Sequence, residues 1–348
     1  MSKILLIGPR QNKHNTHDTG GISILFELLI ADLSKQNIQF TVIDTLKANY
    51  LSRINMFISI ISLLMKNIRK HEHISIHATL NSFLVLAPMV IIFAKIFSKK
   101  TSLRKFAGSF HEDYHNTNFI IKFLIRWVLK HTDYIFFETK YLVKNFKIYN
   151  KNTFWFPNVR DAQIKIEKTR TFNKRFIYIG SINEEKGIDE LCEVIPQLDD
   201  TYTFDLYGPI NMKNTKYSID YFKSLNINYK GALPSNNVLQ TMDKYDVLVL
   251  PSHREGYPGV IIEAFALGIP TIATKLLGIM EICEHNKNAL LIDVQEPTQL
   301  LNAVKSLNQL NYTPLHKESF YTFKNFNSTF QTKRYLEKIN LRKKVINA

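Results

Sequence analysis

Short strand-like apolar runs alternate along this chain with longer stretches of helical periodicity, and the alternation stops once and then restarts. Residues 3–8, 40–44, 73–77, 101–106 and 134–138 read as strands, separated by helices over 23–35, 54–69, 80–97 and 119–130. Strands spaced by helices of this length point to βαβ units and a parallel sheet with helices on both faces. At residues 154–170 the pattern gives way to Trp155, Phe156, Pro157, Asn158 and a polar, charged stretch. It then resumes, with strands at 176–180, 203–207, 246–250, 271–274 and 289–293 and helices at 186–198, 237–244, 260–267 and 298–310. The fold class is α/β, with two Rossmann-like domains in tandem. Open α/β sheets bind ligands outside the carboxyl ends of their strands, so two such domains facing each other would hold a substrate in the cleft between them.

A length of 348 residues suits two domains, and 45% apolar with 22% charged residues excludes a disordered or collagen-like chain. Cys192 and Cys283, the only cysteines, lie in apolar, regular segments. That argues against a disulfide framework and for a reducing compartment. The N-terminus runs from Met1, Ser2 and Lys3 directly into an apolar run at 4–7, without the pattern of a signal peptide, so a cytoplasmic location is expected. Residues 54–65 and 83–97 are the most membrane-like, and both fall short of the ~20 apolar residues of a transmembrane helix.

The charge is uneven. Residues 1–160 carry 22 basic and 9 acidic side chains, net +13, against 23 and 21, net +2, in the rest. Lys95, Lys99, Lys100, Arg104 and Lys105 concentrate part of it. Lys122, Arg126 and Lys130 recur every four residues among Phe119, Ile120, Phe123 and Trp127. A basic helix with so large an apolar surround has the pattern of one lying on a membrane surface, the alternative being a core-packed helix with a solvated lysine face. The expected partner is the anionic inner face of the cell membrane, with peripheral association. Nucleic acid is not an expected partner, because the charge sits on apolar helices and no binding module is recognisable.

The most informative segment is PSHREGYPGVIIEAFALGIPTIAT, residues 251–274. A buried strand precedes it, and the Gly256, Tyr257, Pro258, Gly259 turn leads into a short helix whose first turn suits Pro258. Gly268 and Pro270 end that helix. Such a turn offers free backbone N–H groups and the positive end of a helix dipole to an anion or sugar. Glu255 sits just before the turn, and Glu263 lies in an otherwise apolar helix between Ile262 and Ala264, so both carboxylates can line one crevice.

These residues resemble glycosyltransferase family 4, the retaining nucleotide-sugar transferases of the GT-B fold. Its E-x7-E motif is matched by Glu255 and Glu263 in similar E-G-x-P-G surroundings, and the resemblance extends over most of the chain. It implies a GT-B fold with an acceptor-binding domain at 1–165, a nucleotide-sugar domain at 166–319, and a final helix at about 320–348 that packs back on the first domain. It also implies that Glu263 holds the ribose hydroxyls and Glu255 approaches the donor sugar, while the backbone of Gly256, Tyr257, Pro258, Gly259 and Val260 contacts sugar and phosphates. A carboxylate suits a ribose because it accepts two hydrogen bonds from adjacent hydroxyls.

Gly180, Ser181 and Lys186 in GSINEEKG resemble the family's G-R-x-x-x-x-K-G phosphate loop, with serine in place of arginine, and leave Lys186 as the principal cation on the diphosphate. Gly20 and Gly21, before the first helix, match a loop that touches the donor diphosphate and the acceptor. In TSLRKFAGSFHEDY the resemblance places His111 facing the donor sugar, and Arg104 and Lys105 are candidates for an acceptor phosphate. No Asp-x-Asp motif and no closed zinc spacing occurs, so neither metal nor cofactor is expected. His71, His73 and His77 share a strand face, and the resemblance implies a strand whose His77 end opens on the cleft rather than a metal site. The absence of G-x-G-x-x-G argues against a nicotinamide oxidoreductase.

Together these features imply a retaining, metal-independent glycosyltransferase. It would move a hexose or N-acetylhexosamine from a nucleotide diphosphate sugar, UDP by family frequency, to a glycan acceptor, lipid-linked, in cell-envelope polysaccharide synthesis. A catalytically silent GT-B subunit, for which only Ser181 speaks, and an epimerase acting on the nucleotide sugar are the rival readings.

Overall fold

A computed structural model describes residues 3–14, 21–106, 110–161, 170–210 and 216–341. The chain divides into two compact units, residues 1–161 with 326–348 and residues 162–325. The first unit begins β1 (Lys3–Gly8), α1 (Gly21–Lys35), β2 (Gln39–Asp44), α2 (Arg53–Asn67), β3 (His73–Ala78), α3 (Leu80–Ile96) and β4 (Lys100–Lys105). It continues α4 (Phe110–Asn116), α5 (Phe119–His131), β5 (Tyr134–Phe137), α6 (Lys140–Phe146) and β6 (Thr153–Trp155). Its six strands are parallel in the order β2-β1-β3-β4-β5-β6. Helices cover both faces, so Ile4, Leu5, Leu6 and Ile7 of inner strand β1 are all fully buried, alternating between two cores. Side-chain caps fix several helix starts: Ser52 accepts from Asn55 N, Asn118 from Ile121 N and Thr139 from Leu142 N.

The second unit runs β7 (Arg175–Ile179), α7 (Ile188–Val194), β8 (Thr203–Tyr207), α8 (Ile219–Ser224), β9 (Asn228–Tyr229), α9 (Val238–Met242), β10 (Val247–Leu250) and α10 (Gly259–Ala266). It closes with β11 (Thr271–Thr274), α11 (Leu277–Met280), β12 (Ala289–Ile292), α12 (Pro297–Ser306) and α13 (Gln309–Phe323). Its sheet is also parallel, in the order β12-β11-β10-β7-β8-β9. Numbered within the unit this is 3-2-1-4-5-6, the doubly wound order, whose direction reverses between β7 and β10. Asp246, fully buried at the start of β10, holds that junction by accepting from Arg175 Nη2 at 2.9 Å and from the Arg175 and Asn173 amides.

The chain then returns to the first unit as α14 (Ser328–Lys338). The final segment is therefore two helices, where one was expected over about 320–348. α13 ends at Phe323, a 3-10 turn spans Lys324–Phe326, and the Asn327 side chain caps a new helix by accepting from Phe330 N. Arg160 N donates to Phe326 O and Ser328 N to Arg160 O, which ties the returning segment to the end of the first pass. Tyr335 of α14 enters the sheet face and hydrogen-bonds Ser75 at 2.7 Å and Ser102 at 2.9 Å. Asp32 of α1 accepts from Thr329 and Thr332.

Two other differences have local causes. The break expected to begin at 154 instead starts with a strand, because Thr153–Trp155 pairs in parallel with β5 at the sheet edge. The helix expected from 186 starts at Ile188, because Gly187 takes φ +73° between a 3-10 turn at Glu184–Lys186 and α7. No helix among the described residues is long and apolar enough to cross a membrane.

Candidate functional site

In the second unit two loops leave neighbouring strands at the point where the sheet order reverses. The β7 loop carries Gly180, Ser181 and Lys186, and the β10 loop carries Ser252, His253 and Glu255 through Pro258. They pack backbone against backbone: a Cβ on Gly187 would lie 2.2 Å from the Pro251 carbonyl oxygen, and its left-handed φ also favours glycine. His253 N donates to Glu185 O at 2.8 Å, a further strut between them. This contact brings Lys186 Nζ to 2.6 Å from Glu255 Oε1. Ser252, fully buried, donates to the same oxygen at 2.9 Å, and its carbonyl accepts from Thr274 Oγ1.

Both members of the ion pair keep some exposure, 27% for the Lys186 side chain and 13% for Glu255, so the pair is reachable from solvent. A charged pair at the mouth of a sheet, held by loops rather than buried, can exchange partners for a ligand's phosphate and hydroxyls. The Asn183 side chain accepts from Lys186 N and fixes the lysine's turn. Behind Gly256 the fit is equally close: a Cβ on Gly278 would stand 1.7 Å from the Gly256 carbonyl oxygen. The Tyr178 phenol donates to Ser181 O at 2.8 Å, and burial, then the Glu255 charge, pushes its pKa up.

Pro258 is the N-cap residue of α10 rather than part of its first turn, and the helix starts at Gly259, one residue before the expected 260. Tyr257 is buried, and Glu263 is half-buried one turn beyond Gly259. Glu263 is flanked on its helix by the buried Ile262 and Ala264. Sequence reasoning missed Ser252, Thr274 and the pair His253 and Glu190, whose Nε2 and Oε1 are 2.7 Å apart. Their only signal was position, since the two residues after Pro251 fall between a strand end and Glu255.

In the first unit, Gly20 lies outside the described residues, and Gly21 opens α1 with open space where a Cβ would be. His111 is the second residue of α4, edge-on to Tyr141 at 4.9 Å, with a buried Nδ1 that has no hydrogen-bond partner among the described residues. Arg104 and Lys105 do not stand where an acceptor or membrane surface could meet them. They lie on inner strand β4, covered on both faces, and are 1% and 0% exposed. Arg104 lies 3.9 Å over the Phe156 ring and donates to Pro157 O, and burial lowers its pKa to about 10. Lys105 donates to Phe106 O beside the Phe110 ring, and burial lowers it to about 8.

Lys122, Arg126 and Lys130 are on the outer face of α5. Lys122 donates to His115 O and Arg126 to Tyr114 Oη. The histidines of β3 are bound internally: His73 with Ser102 at 2.8 Å and His77 with Ser75 at 2.9 Å. His71 lies just before the strand, its ring between Asn67 O and Thr41.

This pair of parallel Rossmann-like units is the GT-B fold of glycosyltransferases. Residues 159–318 match the model of the family glycosyl transferases group 1. In sequence the chain is 32% identical over 115 residues to the Bacillus subtilis glycosyltransferase TuaC, assigned to teichuronic acid biosynthesis, covering 33% of this chain and 28% of that one. It is 27% identical over 130 residues to the capsular polysaccharide biosynthesis glycosyltransferase CapM of Staphylococcus aureus, covering 36% and 34%. The chain thus spans less than half the length of the relatives it matches. In structure it is similar to Anabaena Alr3699/HepE, solved in complex with UDP. The TM-score is 0.73 at 15% identity, over 98% of this chain and 100% of that one.

Proposed function

We propose that this protein is a retaining, metal-independent glycosyltransferase that takes a hexose or N-acetylhexosamine from a nucleotide diphosphate sugar. The observation that carries the reading is the meeting of Lys186 and Glu255, 2.6 Å apart, where the sheet order of the second unit reverses. The donor's diphosphate would draw Lys186 from Glu255, leaving that carboxylate to the sugar hydroxyls. Glu263 would accept from the ribose hydroxyls. As the anomeric bond breaks, negative charge grows on the leaving diphosphate, where Lys186 and the turn's backbone amides stabilise it. An acceptor hydroxyl attacking from the same face passes its proton to the leaving phosphate, so no protein nucleophile is required. His111, with a buried Nδ1 lacking a partner among the described residues, is a candidate for the donor sugar.

UDP is the proposed nucleotide, in keeping with the UDP held by the similar HepE structure. The relatives' assignments to capsular and teichuronic acid synthesis support a glycan acceptor of the cell envelope. A lipid-linked acceptor and peripheral attachment to the membrane's inner face fit α5, where Phe119, Ile120 and Phe123 are 78%, 63% and 67% exposed beside Arg126 and Lys130. A silent subunit is the second reading, favoured by Ser181 in place of arginine. The test is a thermal-shift and slow-hydrolysis panel of UDP-, GDP- and ADP-sugars without metal, wild type beside Glu263→Ala. Stabilisation by one nucleotide, lost in the variant by about tenfold or more in affinity, is expected. Binding without hydrolysis or transfer, or no nucleotide binding at all, overturns the transferase reading and selects the silent subunit.

A further inference from the structure

The first unit carries a groove that the transfer reaction leaves unused. It lies at the open edge of the sheet, between α6 and α14, with a volume of about 230 Å³. Val143, Phe154, Trp155, Arg334, Tyr335 and Lys338 line it. The edge strand β6 is its floor. Asn152 O and Phe156 N are spent on β5, so in a parallel ladder the backbone groups of Thr153 and Trp155 turn outward. The inner rings are closed to ligands, since Phe156 stacks on Tyr335 at 5.6 Å and Phe136 packs on Tyr335 at 5.0 Å. Phe154 and Trp155 stay half-exposed.

Cations surround these two rings. Lys338 Nζ lies 5.0 Å from the Phe154 centroid, and Lys140 Nζ and the Arg334 guanidinium lie 5.1 and 5.8 Å from that of Trp155. Among the described residues neither Arg334 nor Lys338 has an ion-pair partner. Residues 140–155 contain Lys140, Lys144, Lys147 and Lys151 and no carboxylate. A flat apolar ring, outward backbone donors and the cations Arg334 and Lys338 around a concavity form a combination suited to a sugar ring that carries negative charge. The ring's C–H face packs on the indole, its hydroxyls meet the strand edge, and its carboxylate or phosphate meets Arg334 and Lys338.

We propose that this groove binds an anionic glycan, holding part of a polymer apart from the residues assigned to the transferred sugar. The choice of a glycan rests on the transferase reading; the choice of negative charge rests on the groove alone. The protein has two tryptophans, Trp127 and Trp155. In the full-length Trp127→Phe protein, indole emission therefore reports the groove directly. Titration with a short oligogalacturonate should shift Trp155 emission and saturate, with neutral malto-oligosaccharide at least about tenfold weaker. Adding Arg334→Gln and Lys338→Gln should weaken binding about tenfold for each cation removed, with the melting temperature kept as the check on folding. Equal binding of neutral and acidic oligomers, tighter binding of an oligothymidylate, or an unchanged emission overturns the proposal. UDP binding followed by thermal shift in the same samples separates the two failures. If UDP binds and oligogalacturonate does not, the groove proposal alone falls; if neither binds, the transferase reading falls with it.

Discussion

The two units are built alike and charged unlike. The first holds 28 basic and 11 acidic residues, net +17, and the second 17 and 19, net −2, so the whole of the chain's positive excess sits on one of two similar sheets. They also place polar groups differently. In the first, His73, Ser75, His77, Ser102 and Arg104 line an inner sheet face, where Tyr335 and Phe156 cover them. In the second, Lys186, Ser252, His253 and Glu255 gather on loops at the strand ends, over an apolar interior. A parallel sheet with two covered faces dictates neither arrangement; what differs is whether polar residues fall on strands or just after them. The first pattern buries its polar groups in internal bonds, and the second also pairs them internally but keeps Lys186 and Glu255 partly exposed to solvent, at 27% and 13%.

That contrast is open to attack, most sharply at Lys186. If the second unit is the chemical one, Lys186→Ala should cut donor hydrolysis and transfer by about 10²–10³-fold, and Lys186→Arg should recover part of it. A variant that keeps wild-type turnover would strip the loop site of its proposed role.

Acid tests the other half. Burial lowers the His73 pKa to about 4, and burial followed by the Arg104 charge holds His77 well below the usual histidine range. Both are neutral when folded and take up protons more readily when unfolded, so folding stability falls with pH below the unfolded value of about 6.5. For His73 the loss runs down to about pH 4 and amounts to about 3 kcal/mol. Melting temperatures across this range should show it, with a shallower slope in His73→Gln. An unaltered slope would mean that this inner polar face is not what acid attacks.

The smallest effect belongs to the outer face of α5. Lys130→Glu should lower partition onto anionic liposomes at low salt about fivefold or more, while hydrolysis of the soluble donor stays as it was. Wild-type protein that stays wholly in solution with such liposomes would remove the membrane from the reading.

The sheets and most helices were legible in sequence because their signal is local. Runs such as residues 4–7 and 247–250 are apolar throughout, and strands buried on both faces need nothing more. Motif spacing singled out Lys186 and Glu255, 69 positions apart, which the structure brings to 2.6 Å, and the half-buried Glu263. Arg104 and Lys105 were misread because two adjacent cations on a strand look like surface; only the tertiary fold shows β4 inside the sheet, with Phe106, Phe110 and Phe156 around them. The same holds for β6, three residues long, which has no periodicity of its own and exists only by pairing with β5. His253 and Glu190 are separated by 63 positions, and nothing local links them.

The return of α14 also sets an order of assembly during synthesis. The second unit, residues 162–325, is complete before residues 328–338 leave the ribosome, whereas the first unit, begun earlier, must wait for them. Until then Ser75 and Ser102 lack the Tyr335 hydroxyl, and Asp32 lacks Thr329 and Thr332. The nascent N-terminal half therefore shows chaperones an unfinished sheet face while the half translated after it is already able to fold.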